Sequence, residues 1–262
     1  MSSDRAGRRP FVAGNWKMHL VRREADALCR KLRDGAKALG SVLPEIAVFP
    51  SFPLLGTAVE ALAASGIGVG GQDLRAEEWG AFTGDVSGRQ LVDAGASWVL
   101  CGHSERRQLH GETDELVASK AVAAARVGLR PVVCVGESRE QRRAGETFAV
   151  LDRQLAPLDA LPGLLLAYEP VWAIGSGETA TPEVAQVAHA HLRRRWGERF
   201  GSAALTLRIL YGGSVTPENS TGLAAMPDVD GALVGGASLD PGRFLAIISS
   251  FAALARPSEE LP

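Results

Sequence analysis

The chain has 262 residues, 46% hydrophobic and 22% charged, with a mean hydropathy of +0.04. That balance excludes a disordered chain, and the length supports one large core without disulfide or metal staples. Lys and Arg total 28 against 30 Asp and Glu, a net charge of -2 with no long run of one sign, which speaks against a nucleic-acid partner.

The first ten residues carry Arg5, Arg8 and Arg9 but lead into an apolar stretch broken by Gly14, Asn15 and Lys17. They read as a frayed tail, not a signal peptide, and residues 256–262 read as a second tail. No uncharged apolar run approaches the roughly 18 residues that cross a bilayer, so no membrane partner is expected. Cys29, Cys101 and Cys134 are widely spaced and form no C-x-x-C pair. They suggest neither a disulfide framework nor a zinc site, and they fit a reducing cytoplasmic setting.

Eight short, nearly continuous apolar runs follow in order: Phe11–Ala13, Ile46–Phe49, Ile67–Val69, Trp98–Leu100, Val132–Val135, Leu164–Ala167, Leu207–Leu210 and Ala232–Val234. Such runs are expected of parallel strands covered on both faces. Helical signals lie between them. Ala121, Val122, Ala124 and Ala125 precede Gly128 as a glycine-ended helix would. Ser138 and Gln141 have capping-box spacing, and Thr181-Pro182-Glu183 reads as cap, first-turn proline and first-turn acid. Strands and helices alternating about every 30 residues, without a linker, predict an α/β fold with one domain over residues 1–262. Eight strands in that length favour a closed (β/α)8 barrel over an open sheet.

In a barrel the informative residues lie just past each strand. Those positions hold Asn15-Trp16-Lys17, His103-Ser104-Glu105, Glu169-Pro170, Gly212-Gly213-Ser214 and Gly235-Gly236. The segments Gly14–Met18, Gly80–Gly84, Gly102–Arg107, Cys134–Glu137, Ala167–Gly175, Tyr211–Val215 and Leu233–Leu239 closely resemble the triosephosphate isomerase family, in family order over almost the whole chain. The resemblance implies interconversion of dihydroxyacetone phosphate and glyceraldehyde 3-phosphate in glycolysis and gluconeogenesis, with no metal or organic cofactor. Two alternatives remain at this point: an isomerase of a four-carbon ketose phosphate, and a non-catalytic sugar-phosphate-binding relative.

Moving a carbonyl between adjacent carbons needs a base for the α-proton and an electrophile for the enediolate oxygen. Glu169, after an apolar strand and before Pro170, is the candidate base; by position alone it also fits a solvated strand-end glutamate. Burial would favour its taking up a proton. His103 reads as the start of a helix, where the dipole favours a neutral imidazole able to donate a hydrogen bond, or as a simple loop partner. The resemblance makes Glu169 the base and His103 the electrophile, with Lys17 a cation beside the developing enediolate and the phosphate, and Asn15 a further hydrogen-bond donor to the substrate. It also makes Glu105 the acid that contacts the lysine, a residue that otherwise reads as a first-turn glutamate.

Gly175, Ser214, Gly235 and Gly236 are the expected phosphate site, through backbone N–H groups at turns and helix starts. Pro170, Val171, Trp172, Ala173, Ile174, Gly175 and Ser176 form an ordinary βα loop by position and a water-excluding lid by resemblance. Thr83, in an otherwise unremarked polar loop, corresponds to the residue that reaches a neighbour's active site, implying a homodimer. His19, His110, His189 and His191 carry no comparable context. Three positions depart from the family pattern: Glu178 replaces a frequent lid lysine, His19 a frequent asparagine and Asp85 a frequent glutamate.

Overall fold

Side chains alternate between the two faces of a strand, and the eight strands sort their residues into two packed cores accordingly. The computed structural model describes residues 7–174 and 180–252. The strands are β1 (Phe11–Asn15), β2 (Glu45–Phe49), β3 (Gly68–Gly71), β4 (Trp98–Cys101), β5 (Arg130–Val135), β6 (Leu165–Tyr168), β7 (Arg208–Tyr211) and β8 (Gly231–Val234). Each pairs in parallel with its neighbours in chain order, and β8 closes onto β1 with Val12 opposite Ala232 and Gly14 opposite Val234. Phe11, Ala13, Phe49, Trp98, Leu100 and Leu165 belong to one buried cluster, while Val12, Val48, Val99 and Leu166 join the larger cluster shared with the helices.

The third strand lies further along the chain than its apolar run suggests, ending on Gly70 and Gly71. The reason is steric. A Cβ on Gly70 would come within 2.4 Å of the Phe49 ring and 2.8 Å of Trp98 Cβ, so large residues on adjoining strands fill the space that β3 leaves.

The helices are α1 (Arg22–Ala38), α2 (Leu55–Ala61), α3 (Gly88–Asp93), α4 (Ser104–His110), α5 (Asp114–Arg126), α6 (Arg139–Arg143), α7 (Thr147–Leu155), α8 (Pro182–Phe200), α9 (Ala203–Thr206), α10 (Pro217–Ala225) and α11 (Pro241–Ala252). Their boundaries follow the expected chemistry. Thr181 caps α8 ahead of Pro182, Ser138 and Gln141 exchange capping-box bonds at α6, and Gly128, at φ +86°, turns the chain just after α5.

Charges close the end of the barrel opposite the strand C-termini. Glu45 accepts from Arg130 at 2.6 Å and Arg208 at 2.7 Å, and the Arg130 guanidinium lies 3.6 Å above the Trp98 ring. Nearby, Asp230 accepts from Arg8 at 2.8 Å and Arg193 at 2.6 Å.

His189 is fully buried on α8, edge-on to Tyr168, with Nδ1 3.1 Å from the Asp228 carbonyl oxygen. Burial pushes its imidazole down to about 4, against the opposing pull of that carbonyl. The unfolded chain therefore takes up this proton near pH 6.5 and the folded chain only near 4, so the stability contributed by the neutral ring is complete above 6.5 and declines as pH falls through that window. Urea unfolding at pH 7 and pH 5 is expected to show about 2 kcal/mol more loss for the wild type than for His189→Gln. Equal losses would remove His189 as the cause.

Candidate active site

At the C-terminal ends of the strands opens a cleft of about 490 Å³ whose walls include Asn15, Lys17, His103, Glu169, Ser214 and the pair Gly235 and Gly236. Side chains far apart in sequence meet there because parallel strands deliver all their C-termini to one face. Ile174 and Gly212 also line the cleft, as do His19 and Arg243, for which no role was legible in the sequence. Glu105 stands behind Lys17. Gly175 and Ser176, and with them Glu178, lie outside the described residues.

On the β1 side, Asn15 Oδ1 accepts the Lys17 backbone N–H at 3.0 Å, and Lys17 takes the left-handed backbone conformation at φ +50°. That conformation is unfavourable for a lysine and persists only where its surroundings impose it. Gln72 helps to impose it, donating from Nε2 to the Lys17 carbonyl at 2.7 Å and to that of Phe49 at 2.9 Å. Lys17 Nζ reaches Glu105 Oε1 at 2.5 Å. Burial pushes the Glu105 carboxyl up, but the hydrogen bond from Lys17 and the Lys17 charge hold it below its ordinary range overall.

His103 caps α4 with its ring. Its Nδ1 accepts the Glu105 backbone N–H at 3.2 Å, so the neutral ring carries its proton on Nε2. Nε2 lies 3.1 Å from Glu169 Oε1, off the line of a good hydrogen bond. Glu169 is 2% exposed, and its Oε2 accepts the Ser104 backbone N–H at 2.8 Å. The site thus presents a buried carboxylate with one unsatisfied oxygen beside an imidazole N–H donor.

The backbone of Glu169 is wedged between neighbours that cannot carry side chains. A Cβ on Gly136 would fall 1.7 Å from the Glu169 carbonyl oxygen, and one on Gly212 would fall 2.9 Å from Glu169 Cγ. Burial and the adjacent Glu169 carboxylate push the Cys134 thiol well above its ordinary range, so this cysteine stays protonated.

The segment after β6 is anchored by Glu137, a fully buried carboxylate that the sequence did not single out. Glu137 Oε1 accepts from Trp172 Nε1 at 2.9 Å and from the Tyr168 hydroxyl at 3.1 Å, while its backbone carbonyl accepts the Val171 N–H at 3.1 Å. The Arg142 guanidinium stacks 4.0 Å from the Trp172 ring. Pro170 is thereby followed by a fixed 3₁₀ turn, Val171–Ala173, before Ile174 enters the cleft wall.

The far wall is backbone. Asn219 donates to the Ser214 carbonyl at 2.9 Å, and Ser238 returns its backbone N–H to the Gly235 carbonyl at 2.8 Å, shaping a 3₁₀ turn, Gly236–Leu239. A Cβ on Gly236 would meet nothing within 4 Å, so this glycine leaves its side of the cleft open. Thr83 is exposed on the loop after β3, where Arg75 pairs with Asp85 at 2.9 Å, and it is not among the residues of this cleft.

The sequence model of triosephosphate isomerase matches residues 10–251. The chain belongs to the triosephosphate isomerase family. It is 49% identical over 247 residues to the triosephosphate isomerase of Coxiella burnetii (strain Dugway 5J108-111), covering 92% of this chain and 96% of the relative. Identity reaches 52% over 248 residues with that of Citrifermentans bemidjiense, covering 92% and 98%, and 51% over 252 residues with that of Xanthomonas euvesicatoria pv. vesicatoria, covering 94% and 99%. Membership in the triosephosphate isomerase family agrees with the closed eight-stranded barrel and with the residues gathered at its C-terminal face.

The position of Glu169 against Gly136 leads to a direct test. Gly136→Ala should displace the carboxylate and lower turnover by roughly a hundredfold, the cost typical of a misplacement near 1 Å. Turnover within threefold of wild type would show that the catalytic geometry does not depend on this contact.

Proposed function

We propose that the protein interconverts dihydroxyacetone phosphate and D-glyceraldehyde 3-phosphate through an enediolate, and serves glycolysis and gluconeogenesis. The observation that supports this most strongly is the pairing of a buried, partly unsatisfied carboxylate on Glu169 with the Nε2–H of a neutral His103 in the cleft that also holds Lys17. Glu169 leaves the Ser104 N–H, takes the proton from the carbon beside the carbonyl and delivers a proton, exchangeable with solvent while the carboxyl holds it, to the carbonyl carbon. His103 gives its Nε2 proton to the carbonyl oxygen and takes the proton of the neighbouring hydroxyl in return, so that the carbonyl moves to that carbon, and the Lys17 ammonium and Asn15 stabilise the negative charge that develops. Glu105 is a positioning residue that holds Lys17.

The phosphate rests on the backbone N–H groups around Ser214, Gly235 and Gly236, with Gly175 completing the set. The stretch from Pro170 through Val171, Trp172, Ala173 and Ile174 to Gly175 and Ser176 acts as a lid. Closure excludes water from the enediolate and prevents loss of its phosphate. Its near end turns about the Trp172–Glu137 contact. Base, electrophile and cation together in one cleft count against a non-catalytic binding protein, and the family match favours the three-carbon substrate.

Two further features follow from the same reading. The chain works as one domain and pairs with a second copy through the loop bearing Thr83, supported by the exposed apolar side chains of Met18 and Trp79. It acts in the cytoplasm, supported by three buried free cysteines and by the lack, among the described residues, of a helix long and apolar enough to cross a membrane. The test of the activity is turnover of glyceraldehyde 3-phosphate by the wild type beside Glu169→Gln. High wild-type turnover and a loss of at least about a hundredfold in the variant are expected. Negligible wild-type turnover would reject this substrate, and an undiminished variant would reject the base.

A further inference from the structure

Arg243 lines the cleft with Lys17, Gly235 and Gly236 and has no part in the chemistry above. It stands third in α11, the helix that follows the turn begun by those glycines. A cation in the first turn of a helix faces the positive end of the dipole, so the local energetics disfavour arginine at this position. The backbone there is already satisfied in part: Asp240 Oδ1 accepts the Arg243 N–H at 2.8 Å, and the Asp240 carbonyl accepts that of Phe244 at 3.0 Å.

The Arg243 side chain is exposed and forms no ion pair within 4.0 Å among the described residues. Glu218, in the first turn of α10, is a carboxylate within its electrostatic reach; Thr216 and backbone hydrogen bonding hold the Glu218 carboxyl low, and Arg243 adds to the effect. A residue that breaks a local rule without a packing gain points to a demand from function. A guanidinium offers a planar fork of donors that fits phosphate oxygens two at a time, and it keeps its charge throughout the working pH range.

We propose that Arg243 is a positioning residue for the substrate's phosphate dianion, drawing it into the cleft and engaging its outer oxygens while the glycine backbone takes the inner ones. The inference rests on the triose-phosphate reading for its substrate and on the cleft geometry for its site. Lys17 is neutralised in part by its pairing with Glu105, which leaves room for a second cation in the cleft. A cation at the mouth of a cleft raises the capture rate of an anion, and salt weakens that effect.

The test compares wild type, Arg243→Gln, Arg243→Lys and Glu218→Gln over a range of sodium chloride concentrations. Arg243→Gln should lower kcat/KM by roughly three- to tenfold at low ionic strength, almost entirely through KM, with a gap that narrows as salt rises. Arg243→Lys should recover most of the loss, and Glu218→Gln should leave kcat/KM equal or raise it. Equal kcat/KM in wild type and Arg243→Gln at low salt would overturn the proposal, as would a loss that salt does not change.

Calorimetric titration with inorganic phosphate separates this inference from the substrate reading. Weaker phosphate binding by Arg243→Gln supports the anion role even if the wild type turns over no triose phosphate. Equal affinities reject that role whatever the turnover. Lower stability in both Arg243→Gln and Glu218→Gln, with unchanged KM, would reduce Arg243 to a structural partner of Glu218 and would also overturn the proposal.

Discussion

The carboxylate of Glu169 is buried to 2% exposure without an arginine or lysine partner among the described residues, and the organisation of the site follows from that constraint. A buried charge without a cation must be held by fixed dipoles, or it will be neutralised. Here one oxygen rests on the Ser104 N–H at the start of α4, and the other lies beside the His103 imidazole. Both neighbours come from the strand-to-helix junction after β4, whereas Glu169 follows β6. The parallel pairing of β4, β5 and β6, with β5 between the two junctions, holds them at this separation.

Other carboxylates anchor the neighbouring loops. Glu105 ties Lys17 to the start of α4, which fixes the cation relative to the imidazole. Glu137 ties Trp172 and Tyr168 together beneath the segment that follows Glu169. These anchors are preorganised before any ligand arrives, which is the condition under which dipoles and charges stabilise a developing oxyanion most effectively. Glycine supplies the complementary requirement of space. At Gly136 the backbone of one loop passes so close to Glu169 that no side chain fits.

Much of this was legible in the sequence because parallel strands buried on both faces leave apolar runs, and helix starts leave capping residues. Thr181 and Ser138 stand where their spacing predicts. The third strand was displaced because its glycines are dictated by Phe49 and Trp98 on adjoining strands, a spatial relation without a local signal. His103, Glu169 and Lys17 are marked by their strand-end positions and by the family resemblance, and they meet in one cleft. Gln72 and Glu137 also stand just past strands, but their roles in holding a carbonyl and an indole emerge only from contacts across the barrel. Arg243 carries no such signal, because it lies beyond the last strand-end turn, inside a helix, where a charged residue ordinarily faces solvent.

In the proposed reaction Glu169 moves a proton, not a hydride, between adjacent carbons. The direct measurement is isomerisation of dihydroxyacetone phosphate in deuterium oxide, followed by proton NMR of the glyceraldehyde 3-phosphate formed. A proton held on a carboxylate exchanges with solvent, so deuterium is expected at the C2 carbon of product released early in the reaction. Complete transfer of the C1 hydrogen to C2, with no deuterium at C2 at any stage of turnover, would contradict a solvent-exchanging base and point to direct hydride transfer.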